Sequence, residues 1–162
     1  MPRARTKVLL LATGVFTIAV YATAFALSTT KDRPDEFDSE VLERATSSAC
    51  ATLRVDVDAL PPLPAGAPEQ ARLARLEEQD RLVRRLITQV EAVGPAARDA
   101  DVPGRGWLGD WDRLADARQA YAAQGGTGPF VVPMADGEPI TRRMARVGVP
   151  ACVVPNGLTA GL

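Results

Sequence analysis

Residues 8 to 27, VLLLATGVFTIAVYATAFAL, run for 20 positions without a charged side chain, and such a segment decides where the rest of the chain can fold. At about 1.5 Å of rise per residue the run makes a helix of about 30 Å, the hydrocarbon thickness of a bilayer. Its length predicts a membrane-spanning anchor. Ala22-Thr23-Ala24 and Ala24-Phe25-Ala26 also offer the small-x-small pattern of a signal-peptide cleavage site, which would release a secreted product. The apolar part of a cleaved signal is usually about 7 to 15 residues, shorter than this one. The anchor is therefore the first reading, with membrane lipid as its partner, and secretion after cleavage is the alternative.

Residues 1 to 7, with Arg3, Arg5 and Lys7, are assigned to the cytoplasm, 8 to 27 to the anchor, 28 to 37 to a polar linker and 38 to 162 to an extracytoplasmic domain. Three of the 19 basic residues precede the anchor, leaving 16 against 20 acidic ones and a formal charge of −4. That balance lacks the basic excess a nucleic-acid surface needs, so no nucleic acid is expected as partner.

Beyond the linker the pattern is helical. Phe37, Val41, Ala45, Ala49, Leu53 and Val57 recur every four residues and predict a helix from about 38 to 60, ended by PPLPAGAP. Pro68-Glu69 opens a second segment in which Leu73, Leu76, Val83, Leu86, Ile87, Val90 and Val93 fall at helical spacing. Its charged face offers Glu77 with Arg81 and Asp80 with Arg84 as i, i+4 pairs. Gly94-Pro95 stops it, AARDADVPGRG reads as a connection, and WLGDWDRLADARQAYAAQ restarts the period with Trp107, Trp111, Leu114, Arg118 and Tyr121 until GGTGP. Phe130–Val132 and Cys152–Val154 read as short β runs, with an Asp136-Gly137 turn signal and a short helix after Pro139 between them. The expected fold is mainly α: a transmembrane helix, then an exported three- to four-helix domain with a small irregular C-terminal cap containing short β segments.

The chain has two cysteines, Cys50 and Cys152, and no histidine. In an exported domain an even pair is expected to close a disulfide. A cysteine nucleophile would lack its usual histidine base, and a zinc site would have to combine two distant thiolates with carboxylates. No metal site and no cofactor is expected.

Without histidine, catalysis would fall to carboxylates, arginines or hydroxyls. Asp110 and Asp112 flank Trp111 in GDWDR and are the only candidates for a carboxylate pair, although i and i+2 point to different faces of a helix. The bland reading makes them solvated acids beside core tryptophans. Trp107 and Trp111 share a face and serve either as core knobs or as an exposed contact for a partner. Arg142, Arg143 and Arg146 form a candidate patch for an acidic polymer or lipid headgroup, against the plainer reading of a solvated basic face.

SSACATLRVDVDALPPLPAG, DVPGRGWLGDWDRLADARQAYA and DGEPITRRMARVGVPACVVP together give most of residues 45 to 156 a likeness. The chain resembles a group of uncharacterised single-pass exported proteins of high-GC Gram-positive bacteria. The resemblance implies an anchored α-helical domain and brings no activity, ligand or catalytic residue with it.

The functional expectation is a non-enzymatic binding, scaffold or accessory domain with a protein partner in the cell envelope. The alternatives are an extracytoplasmic small-ligand sensor coupled to a separate transducer, and a carboxylate-dependent enzyme acting on cell-wall glycans.

Overall fold

A computed structural model describes residues 35–159 of the chain. The expected anchor at 8–27, the expected cytoplasmic tail at 1–7 and most of the expected linker lie outside the described residues. Among the described residues, no helix is long and apolar enough to cross a membrane.

Three long helices carry the fold: α1 (Glu40–Asp58), α2 (Glu69–Glu91) and α4 (Val102–Ala123), with α3 (Pro95–Ala100) between the last two. Helix α2 packs against both α1 and α4. Ser39 caps α1, its hydroxyl accepting from the Leu42 N–H at 3.3 Å, and Glu40 and Glu43 place negative charge in the first turn. The 61–68 stretch, rich in proline, cannot continue the ladder and turns the chain into α2.

The face that α1 buries is Leu42, Thr46, Ala49, Cys50, Leu53 and Val57. Val41 is 57% exposed and Ala45 is not buried, contrary to the stripe expected from a spacing of four. Each step of four residues overshoots a full turn by about 40°, so a strict four-residue stripe winds off the buried face. The observed face mixes steps of three and four, at Leu42, Thr46, Ala49, Leu53 and Val57, and stays put.

The expected connection AARDADVPGRG is helical over most of its length. Pro95 and Pro103 stand in the first turns of α3 and α4, where an N–H has no intrahelical acceptor and its loss costs nothing. Asp101 caps α4 by accepting from the Gly104 N–H at 2.8 Å, and its other oxygen accepts from the Asp38 and Ser39 N–H groups at 2.9 and 3.0 Å. One buried carboxylate thus organises the starts of α1 and α4. Gly104 makes room there, since a Cβ would lie 2.3 Å from Leu42 Cδ2 and the buried Leu42 side chain would have to shift.

The C-terminal cap holds a minimal hairpin, β1 (Met134–Ala135) and β2 (Glu138–Pro139), paired antiparallel with Met134 opposite Pro139 and Ala135 opposite Glu138. Asp136 and Gly137 take φ of 52° and 82°, the two positive values that a two-residue turn demands. Helix α5 (Ile140–Ala145), a 3-10 turn (Pro150–Cys152) and α6 (Asn156–Thr159) complete the described residues. Neither expected β run is a strand. Phe130–Val132 lies between Pro129 and Pro133, with Val131 76% exposed, and Cys152 belongs to the 3-10 turn that Pro150 begins.

The core is one cluster. Leu42, Leu53, Val83, Leu86, Trp107, Trp111 and Leu114 from the long helices meet Ile140, Met144, Cys152 and Leu158 from the cap. Phe37, assigned from sequence to the end of the linker, packs edge-on against Trp107 with ring centroids 5.9 Å apart.

Candidate functional site

Cys50 and Cys152 form a disulfide, with Cα atoms 5.0 Å apart, joining the middle of α1 to the 3-10 turn. Both are buried in the apolar core. Arg54, one turn further along α1, reinforces the junction by donating from Nη2 to the carbonyls of Val153 at 3.2 Å and Ala151 at 3.4 Å. These sulfurs therefore serve the architecture.

Asp110 is not a solvated acid. It is 1% exposed, and both of its oxygens are taken: Arg143 Nε donates to Oδ2 at 2.7 Å, Arg143 Nη2 donates to Oδ1, and Arg113 Nη1 donates to Oδ1 at 2.9 Å. Arg143 Nη1 reaches Asp136 in the hairpin turn at 2.5 Å. These carboxylates, Asp110 first, hold the Arg143 guanidinium above its ordinary pKa. Asp112 lies on another face, exposed, and its carboxyl is raised by partial burial, then by the like charges of Glu91 and Asp116. The two aspartates do not converge, as the helical geometry requires.

The expected arginine patch separates into two clamps and one exposed side chain. Arg143 ties α5 to α4, while Arg146 donates from Nη1 to Glu138 at 2.9 Å and from Nε to Asp35 at 3.2 Å. Arg142 is exposed and makes no ion pair among the described residues. Trp107 and Trp111 are core residues packed edge-to-face, with centroids 5.8 Å apart, and offer no exposed contact.

A second buried cluster escaped the sequence reading. Arg118, 1% exposed on α4, donates from Nε to Asp80 Oδ1 at 2.7 Å, from Nη1 to the Leu158 carbonyl at 2.6 Å and from Nη2 to Gln79 Oε1. Gln79 Nε2 in turn donates to the Gly157 carbonyl at 3.0 Å. The cluster joins α2, α4 and α6. Its signal was the register: Arg118 stands in the apolar series from Trp107 to Tyr121, where a charge demands a buried partner. Asp80 is consequently paired with Arg118 and not with Arg84, and Arg81 pairs with Glu78 rather than Glu77.

Above this cluster, α2 and α4 border a groove of about 540 Å³, with Leu73 and Ala122 at its apolar positions and Glu77, Arg81, Arg84 and Gln119 among its polar ones. Asp80 also lines it. Burial raises the Asp80 carboxyl, outweighing the opposing pull of Arg118 and Arg84. Among the described residues, no three acidic or cysteine side chains are grouped to hold a metal ion. The groove offers an amphipathic surface of mixed charge, suited to contact rather than to acid–base work.

Together these features define a small helical domain closed by one disulfide and two buried arginine–aspartate clusters. No protein-family model, curated protein or solved structure matches the chain.

Proposed function

We propose that this protein is a membrane-anchored, extracytoplasmic helical domain that acts as a binding, scaffold or accessory subunit in the cell envelope. The observation that carries the reading is the disulfide between Cys50 and Cys152, a bond that persists in oxidising compartments and is rare where thiols are kept reduced. The uncharged run at 8–27 accords with it, supplying a means of export and tethering. The groove between α2 and α4 is the surface this reading assigns to an envelope partner. The glycan-enzyme alternative loses its acid, since Asp110 has no oxygen free of an arginine.

Two experiments test it. A C-terminal phosphatase reporter that is active only outside the cytoplasm is expected to be active on the full chain; an inactive reporter on an expressed, membrane-bound chain overturns the orientation. Proximity labelling from the intact membrane is expected to mark envelope proteins, and a photo-crosslinker at Gln119 to capture one of them. Labelling confined to cytoplasmic proteins refutes the assignment.

A further inference from the structure

We propose that the pocket between the 63–67 loop and the 126–128 turn binds a small organic carboxylate through Arg72. The pocket measures about 390 Å³, and Arg72 contributes the only formal charge in its lining. Arg72 Nη1 donates to the Ala67 carbonyl at 2.6 Å, which fixes the guanidinium against the wall. Its Nε is buried and donates to no acceptor among the described residues.

The contrast with the other withdrawn arginines points to a ligand. Arg118 and Arg143 are each met by an aspartate. Arg72 has no carboxylate within ion-pairing distance among the described residues, and a partly buried guanidinium without a counter-charge is costly. A carboxylate offers the planar pair of acceptors that a guanidinium fork matches.

The remaining lining suits the same ligand. The backbone N–H groups of Thr127 and Gly128 donate to no acceptor among the described residues, unlike those of Gly125 and Gly126, which donate to carbonyls of α4. Gly66 and Gly128, both in the pocket lining, take positive φ of 77° and 79°, the backbone that shapes the loop and turn around the pocket. Pro64 and Ala67 supply aliphatic wall. One cation with an apolar wall fits a short-chain monocarboxylate better than a multiply charged phosphate, which would call for more cations. This chemistry does not depend on the compartment in which the domain resides.

The test is amide NMR of the full chain in a neutral maltoside detergent, titrated with sodium butyrate at constant ionic strength and, separately, with uncharged butyramide. Butyrate is expected to shift the Thr127 and Gly128 amides saturably, and butyramide is not. Arg72→Gln should weaken butyrate at least tenfold. Arg75→Gln, which removes a contact to the same proline-rich loop at the Pro61 carbonyl without touching the pocket lining, should leave it unchanged. Equal response to butyramide, no saturation, wild-type affinity in Arg72→Gln, or equal loss in Arg75→Gln each overturns the proposal and leaves Arg72 as a fastener of the loop. Should Arg72→Gln fail to fold, the comparison of butyrate with butyramide on the native chain decides alone.

Discussion

Arg118 Nε stands 2.7 Å from Asp80 Oδ1, in a cluster that also satisfies Gln79 and the carbonyls of Gly157 and Leu158. Helices α2, α4 and α6 therefore meet at one guanidinium. Arg118→Ala would strand Asp80 and leave the Leu158 carbonyl without its donor, and removing one partner of a buried pair costs about 3 to 5 kcal/mol. Urea unfolding of Arg118→Ala is expected to show a loss of this size. A loss below about 1 kcal/mol, the range of exposed ion pairs, would mean the cluster is solvated.

Closing the 102-residue span between the cysteines restricts the unfolded chain. Loop entropy assigns about 4 to 5 kcal/mol to a span of that length. The Cys50→Ser, Cys152→Ser double variant is expected to lose stability by about that amount in denaturant melts, with proteolysis beginning in residues 148–159, which the bond holds to α1. Equal stability with and without reductant would remove the disulfide from the list of major supports.

Gly104 and Leu42 are mutually adapted. A Cβ at 104 would collide with Leu42 Cδ2, so Gly104→Ala should cost about 1 to 3 kcal/mol despite alanine's better helix propensity. Leu42→Val, which shortens the opposing side chain, should cost less in the Gly104→Ala background than in the wild type. Additive effects in that double-mutant cycle would show that the helices simply slide apart.

Asp112 and Glu138 give opposite pH slopes. The folded-state carboxyl of Asp112 is raised by burial, Glu91 and Asp116, so its stabilising contribution is full below the ordinary aspartate pKa and is lost as pH rises through the folded value. Asp112→Asn is therefore expected to raise thermal stability at pH 7, with the gain fading near pH 3. Glu138 is lowered by its bond to Arg146; its contribution is present above the ordinary glutamate pKa and is lost as pH falls through the folded value. Glu138→Gln should thus lower stability at pH 7 and have little effect below pH 3. Both effects are small, since solvent reaches Asp112 and screens the exposed Glu138 pair. Melting curves across pH 3 to 7 with the slopes reversed would contradict the assignment.

The bodies of the three long helices were legible because each carries periodic apolar residues and ends at glycine or proline, whereas the start of α4 at Val102 was hidden in a stretch that read as a connection. Pairing of the cysteines was legible from their even number, read together with the expectation of export. The Asp136-Gly137 turn was legible too, because a two-residue turn needs positive φ at both positions, but the strands beside it, Met134–Ala135 and Glu138–Pro139, were not. The legible features involve neighbours in sequence, or a count, and need no knowledge of what packs where.

Packing settled the remainder. Whether Asp110 was solvated depended on Arg143 arriving from 33 residues away. Arg118 looked like an interruption in an apolar series until Asp80 and the Leu158 carbonyl closed around it. Helical periodicity is written in the chain because it follows from backbone geometry. Counter-charges are not, because a buried ion finds its partner only after distant segments have been brought together and water has left.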